Sequence, residues 1–340
     1  MFSIVECNAS DGDRWDKFVR SAHGTYNHLF GWKAVLERAY GLRPHYLVVH
    51  TGDTWLAVLP LAVMPRLPGR PVRAVSLPYC NYGGLLAAPG LDPAPLKTAA
   101  LAHLSGLGIG RVEFRDCAPA LTDSPEVTML LALPETEELL WANIGAKARN
   151  QVRKAQQAGL TVQWGRDQGD ILHEIYACNM GRLGTPVHSP RFIREILVQL
   201  GEAADVLTIR LKDCPIGAML LVRQDTTWAD PIASCLTEFN ALSPNMLLYW
   251  EVLRRAAATG AKTFDFGRSR RDSGTHRFKK QWGATEVALN YHSYQDGELV
   301  PAASTHFYRG QPASALAQVW SRLPGFFQRG AGPVIRRWMP

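Results

Sequence analysis

The sequence predicts a mixed α/β (α+β) fold, mostly antiparallel sheet flanked by helices, divided between two domains. Three observations carry that expectation. The 340 residues exceed what a single hydrophobic core usually organises, so two domains of roughly 150 residues each are expected. Helical and strand-like periodicities are interleaved, and three strand-like runs follow one another directly at 206–213, 215–224 and 226–237. The elements do not alternate strictly as strand, helix, strand, so a doubly wound nucleotide-binding sheet is not expected.

In order, residues 13–22 and 28–41 read as short amphipathic helices; Phe30, Trp32, Val35, Leu36 and Ala39 approximate one face of the second. Strands are expected at 44–51, 54–65 and 71–78, the first two joined as a hairpin by Gly52-Asp53. The aromatic, glycine-bearing loop Pro78–Gly84 follows, then a helix at 96–108 and strands at 110–117 and 127–134. A second unit begins near Glu135, with two helices and a strand between 136 and 165. Helices at 170–184 and 190–201 flank the loop 185–190, where Ser189 fits a helix cap and Pro190 a first helical position. After the three strands, 243–260 carries Ser243 as a cap, Pro244 at the first position and Gly260 at the stop. A strand at 262–267, a basic segment and a strand at 285–294 follow. The remainder reads as irregular, apart from a helix at 312–323. The expected domains are therefore 1–134 and 135–300, with 301–340 as an extension.

Apolar residues make up 46% and charged residues 20%, an ordinary globular composition, and the net charge of +7 favours anionic partners only where it is clustered. The six cysteines are scattered without a CxxC pair, which argues against a disulfide framework or zinc site and fits reduced thiols in the cytoplasm. No signal peptide is legible at the N-terminus, and no window of about 18 apolar residues could span a membrane. Several attractive motifs fail on context. Asp265-Phe266-Gly267 lacks a catalytic-loop His-Arg-Asp, and Gly106–Gly110 follows a helix rather than a strand. No GxSxG elbow or HExxH spacing is present, so neither serine nor metal catalysis is expected.

The charge is clustered in two places. From Lys262 to Gly283, KTFDFGRSRRDSGTHRFKKQWG holds seven Lys and Arg against two acids, Asp265 and Asp272. Phe264 and Phe266 share one face of its opening strand, with Thr263 and Asp265 on the other. Gly267 leads into the basic segment, and Gly274 separates that segment from a short helical RFKKQW. Lys279 and Lys280 would project about 100° apart on a helix, so both cannot serve one ligand. Asp265 reads either as a salt-bridge partner of Arg268 or as a carboxylate that orients an amine nucleophile. The second cluster, Lys147, Arg149, Arg153 and Lys154, lies on a helix with no acid between Ala142 and Gln163. It is either a solvated face or one presented to phosphate or carboxylate.

These stretches together, KARNQVRKAQQAGL, NMGRLGTPVHSPRF, SPNMLLYWEVLRRA and FDFGRSRRDSGTHRFKKQWGA, resemble the FemAB-like proteins. The similarity is strongest to the branch found with exosortase (PEP-CTERM) and exopolysaccharide systems, and it extends over Asn27–Tyr294. The resemblance implies two GNAT-like (N-acetyltransferase-related) domains in tandem, the second of the BioF2-like acetyltransferase type. It also implies acyl or aminoacyl transfer to an amine of a cell-envelope or exopolysaccharide precursor. The donor would be an acyl-CoA or an aminoacyl-tRNA, with no tightly bound cofactor and no stable partner protein. The family's aromatic–lysine pair falls on Phe278-Lys279, with Lys280 as rival, so Lys279, Phe278 and Asp265 form the expected catalytic set; Glu238 is a second proton acceptor. Arg149, Arg153, Arg268, Arg277, Lys280, Asn245, Tyr79 and Tyr82 form the expected binding set. Two family features are absent: the coiled-coil insertion of some cross-bridge enzymes, and a Q/R-x-x-G-x-G/A pyrophosphate cradle, for which Arg268–Gly274 is the nearest candidate. The alternative is a non-catalytic module for an anionic glycan or lipid head group. In either case the acid-free tail from Gln318, with its Trp, Phe and Arg residues, suits a peripheral membrane contact or packing onto the protein body.

Overall fold

A computed structural model describes residues 2–66, 69, 71–118, 124–300 and 315–340, which form two compact units. The first contains β1 (Ser3–Glu6), α1 (Gly12–Ser21), α2 (Trp32–Tyr40), β2 (Arg43–Thr51), β3 (Thr54–Val63), β4 (Arg73–Ser76), β5 (Leu86–Ala87), α3 (Pro93–Gly106) and β6 (Arg111–Ala118). The second contains β7 (Glu126–Ala132), α4 (Glu137–Asn143), α5 (Ala146–Gln157), β8 (Leu160–Trp164), α6 (Gly169–Arg182), α7 (Pro190–Gln199), β9 (Ala204–Leu211), β10 (Cys214–Gln224), β11 (Thr227–Cys235), α8 (Pro244–Ala258), β12 (Thr263–Arg270) and α9 (Gly274–Lys280). β13 (Thr285–Gln295) joins the first unit from Ala288 onward and carries β14 (Glu298–Val300) beside it; α10 (Ala315–Ser321) and α11 (Gly325–Arg336) belong to the second.

The strand order of the first unit is β1-β2-β3-β4-β6-β13, with β5 beside β3. Among the described residues its pairings are antiparallel except β4 with β6. Leu47, Leu59, Leu61, Leu104 and Phe114 close its core beneath α3. The second unit runs β7-β12-β11-β10-β9-β8, antiparallel except β11 with β12. Its core is built on the apolar side of α8, where Leu248, Trp250, Val252 and Leu253 meet Phe264, Phe266 and Trp282. The mixed α/β class and the mostly antiparallel sheets flanked by helices agree with the sequence-based expectation.

Four local features differ from that expectation. β7 pairs with β12, so the second unit begins at Pro125 rather than 135, and β13 pairs with β6, which returns residues after Ala288 to the first unit. Strand hydrogen bonding, which residue periodicity cannot assign to a partner, sets both boundaries. β12 continues through Gly267 to Arg270, and α9 starts at Gly274 instead of after it. Ser243 occupies the cap position of α8 in a left-handed conformation (φ 57°) without a side-chain cap, although Pro244 does open the helix. Finally, 325–336 is helical despite Gly330, Gly332 and Pro333. Gly332 is buried where a β-carbon would lie 3.1 Å from the Val187 amide, so tertiary packing overrides weak propensity.

Candidate active site

The parallel ladder between β11 and β12 is short. Thr227, Trp228 and Ala229 pair with Thr263, Phe264 and Asp265, and the ladder ends there although β11 continues to Cys235 and β12 to Arg270. Two residues explain the parting. Pro231 has no amide hydrogen to donate. On β12 the register against β7 shifts between Asp265 and Arg268, a bulge that places Gly267 at φ 70°, a left-handed value suited to glycine. Asp265 pins this bulge: its fully buried carboxylate accepts from the Gly267 amide at 2.8 Å and from Thr128 Oγ1 at 2.6 Å.

Asp230 is the first residue of β11 beyond the ladder. It is buried; Oδ2 accepts from the Tyr249 hydroxyl at 2.5 Å, while Oδ1 has no hydrogen-bond partner within the protein. Ser269 Oγ, on β12 past the bulge, is also buried and unpartnered, so two polar atoms along the parted strands lack the partner that buried groups ordinarily have. Tyr249 is fixed by the aromatic rings of Phe266 at 5.2 Å, Phe278 at 5.1 Å and Trp282 at 6.2 Å. Lys279 is buried beneath the bulge and donates from Nζ to the Gly267 and Arg268 carbonyls, each at 2.9 Å. Burial pushes the Asp230 carboxyl up to about 7, against the lowering effect of the Lys279 charge, and the nearby Asp265 raises it further. Burial also lowers the Lys279 amine, while Asp230 and Asp265 oppose that shift. The Tyr249 phenol is held well above its usual range by burial, with the Asp230 charge acting in the same direction. The result is a buried carboxyl raised to about 7, oriented through one oxygen and unpartnered at the other.

The expected catalytic residues thus lie together in the second unit, with the Phe278 ring tilted against Tyr249 and Asp265 serving the bulge. Lys279 points inward and Lys280 outward, as their adjacent helical positions require. The surrounding cations are less open than their number implies. Arg271 at 2.9 Å, His276 at 2.8 Å and Lys280 at 3.2 Å converge on Glu286 of β13, while Arg277 donates to the Asp272 carbonyl at 2.6 Å. Because the Asp272 amide donates to His276 Nδ1, the ring proton sits on Nε2, facing Glu286. Arg268 is exposed, 3.9 Å from Glu126.

Desolvation raises the Glu286 carboxyl, but hydrogen bonds from His276, Lys280 and Arg271 together outweigh it and lower the group from 4.5 to about 2. The folded state therefore favours the carboxylate. This contribution to stability is complete above pH 4.5 and is lost as pH falls through 2. Glu286→Gln is expected to flatten acid unfolding across that interval, read as melting temperature against pH; an unchanged acid limb would show that Glu286 does not hold the segment.

Of the remaining expected binders, Arg149 donates to the Ile144 carbonyl at 2.5 Å and to the Trp141 and Ala142 carbonyls at 3.3 Å, satisfying the C-terminal end of α4. Arg153 is exposed and lies 5.2 Å from the Trp141 ring. Asn245 is half-buried in the first turn of α8, and Glu238 is exposed. Tyr79 and Tyr82 belong to the first unit. There the Tyr79 hydroxyl donates to the Arg337 carbonyl at 2.8 Å and its ring lies 4.4 Å from Tyr40, while Tyr82 is buried.

Sequence reasoning missed Asp230, Tyr249 and Glu286. Asp230 had a legible signal, a single acid in the otherwise apolar run Trp228–Ala233, followed by proline. Tyr249 had none, since an aromatic on an apolar helix face reads as core. Among the described residues no cluster of three His, Cys, Asp or Glu could hold a metal ion.

Residues 143–280 match the family model described as an acetyltransferase (GNAT) domain. No curated protein sequence matches the chain. Among solved structures, FemX superposes with a TM-score of 0.68 at 14% identity, over 86% of this chain and 97% of FemX. A tandem GNAT protein from the clavulanic acid biosynthesis pathway gives 0.55 at 13% identity, over 88% of this chain and 99% of that one. The C-terminal domain of a candidate lysylphosphatidylglycerol synthetase from Agrobacterium fabrum gives 0.57 at 14% identity, over 85% and 93%. At these identities the similarity establishes a tandem GNAT-like fold.

Proposed function

We propose that the chain is an acyltransferase that moves an acyl or aminoacyl group from an activated donor to an amine of a cell-envelope or exopolysaccharide precursor. The observation that supports this best is the parting of β11 and β12 with a near-neutral, half-engaged carboxyl at its origin. Beyond that point the two strands no longer pair with one another, so their facing backbone groups suit an extended, amide-bearing donor arm. In the reaction the amine nitrogen attacks the donor carbonyl, the new C–N bond forms and the C–S or C–O bond breaks; the amine proton passes by way of Asp230 Oδ1 to the leaving sulfur or oxygen, which departs as a thiol or alcohol. Tyr249 holds Oδ2 so that Oδ1 faces the proton, and Lys279 balances the buried negative charge.

The acceptor assignment rests on the motif resemblance, including the exosortase-associated branch, and on two structural relatives. FemX is one; the other is named for the synthesis of an aminoacylated phospholipid. Acyl-CoA and aminoacyl-tRNA are the two donor classes, and Arg268, exposed next to the bulge, is the residue we assign to the donor phosphates. The non-catalytic alternative is disfavoured because Arg271, His276 and Lys280 turn toward Glu286 and Arg277 toward a backbone carbonyl.

The test is transfer of radiolabel from acyl-CoA or aminoacyl-tRNA to primary-amine acceptors by the purified chain. Transfer from one class identifies the donor. Absence of both binding and transfer with either class at micromolar concentrations would overturn the reading.

A further inference from the structure

The two tail helices are attached by the side opposite to the one an amphipathic helix normally buries. Glycines bring them close to the body: a β-carbon on Gly332 would lie 3.1 Å from the Val187 amide, one on Gly181 would meet Gln328, and one on Gly184 would meet the Ala317 carbonyl. Arg336 Nε donates to His188 Nε2 at 3.1 Å, and burial together with the Arg336 charge keeps that imidazole neutral, as an acceptor must be. Trp320 of α10 meets Phe327 of α11 at 6.3 Å, and Gln328 donates to the Trp320 carbonyl at 2.7 Å, so the two helices form one element.

The other side is apolar and open to solvent. Phe326 is 74% exposed, Phe327 47% and Val334 66% on α11, with Leu316 67% and Val319 57% on α10. Phe327 and Val334, seven residues apart, project within about 20° of each other, and Phe326 about 80° from Val334, with buried Gly332 roughly opposite. A helix that buries glycine and exposes phenylalanine is built to be covered by something else.

Charge selects the occupant. Residues 301–340 contain no Asp or Glu, and Arg322, in the turn just after α10, and Arg329, on α11, are both exposed. A second copy of this chain would set arginine against arginine, whereas an anionic bilayer offers phosphates at the head-group level and hydrocarbon beneath it. We propose that α10 and α11 form a peripheral membrane-binding surface, with Phe326, Phe327 and Val334 entering the acyl-chain boundary of an anionic phospholipid bilayer and Arg322 and Arg329 meeting its phosphates. This surface does not depend on the identity of the acyl donor.

Vesicle co-sedimentation of the full chain tests the assignment, with phosphatidylcholine alone and with an equimolar mixture of phosphatidylcholine and phosphatidylglycerol. The chain is expected to sediment with the anionic vesicles, and added salt to release it. Phe326→Asp with Phe327→Asp is expected to weaken partitioning by about tenfold or more. Arg322→Gln and Arg329→Gln are each expected to weaken it by about fivefold. All four positions are exposed, so an unchanged melting temperature checks the fold. Failure of the parent to sediment with anionic vesicles, or equal sedimentation of the double Asp variant, would overturn the proposal. So would a stable dimer, seen by light scattering, that the double Asp variant dissociates.

Discussion

Asp230→Asn is expected to reduce acyl transfer by about 10²–10⁴-fold, the range associated with loss of a general base. Its side-chain volume and the hydrogen bond from Tyr249 are both retained, so the melting temperature should stay close to that of the parent. The parent's pH profile supplies a second readout. A base must be deprotonated to accept the amine proton, and burial raises this carboxyl to about 7, so the rate should climb as pH rises through 7 and level off above it. The variant should lose that limb together with the rate. Tyr249→Phe should retain the limb but move it to higher pH, because the phenol lowers the Asp230 value by donating to Oδ2. A parent-like rate and profile in Asp230→Asn would remove Asp230 from the reaction.

Much of this architecture is legible in the sequence because its elements are locally determined. The hairpin at Gly52-Asp53, the Ser189-Pro190 helix start and the strand series from 206 to 237 each carry their signal within a few residues. What local patterns do not carry is partner choice. The 262–283 stretch shows only Asp265 and Asp272 against seven cations, and reads as a site waiting for an anion. The folded chain supplies the anion itself, as Glu286 on a strand a few residues further on. Arg149 is a similar case: an arginine without an acidic neighbour on its own helix is occupied by carbonyls at the end of the preceding one. The aromatic–lysine pair Phe278-Lys279 stands out in the sequence, and both side chains do reach the cluster. Asp230 is visible in the sequence as a lone acid in an apolar run, but its place in the cluster is set only when parallel pairing brings β11 beside β12 and the ladder stops one residue short of it.

Lys279→Ala is expected to cost the fold about 3–5 kcal/mol at neutral pH, the penalty for removing one partner of a buried charge cluster. Two effects combine. The Gly267 and Arg268 carbonyls lose their donor at the bulge, and Asp230 and Asp265 lose the cation that opposes their burial. The electrostatic part should depend on pH in a defined direction. Without Lys279 the folded-state value of Asp230 rises further above its ordinary 3.8, and a raised carboxyl contributes stability below the unfolded value that disappears as pH climbs through the folded one. The deficit of the variant should therefore be largest above pH 7 and shrink toward pH 4. Lys279→Met, which keeps most of the buried volume, should show the same pH dependence with a smaller offset. A double-mutant cycle separates catalysis from support: combining Lys279→Met with Asp230→Asn should recover part of the lost stability, because the uncompensated carboxylate is gone, while activity stays at the level of Asp230→Asn alone. Strictly additive stabilities in denaturant melts would show that the two side chains are not energetically joined, and Lys279 would then act on the bulge alone.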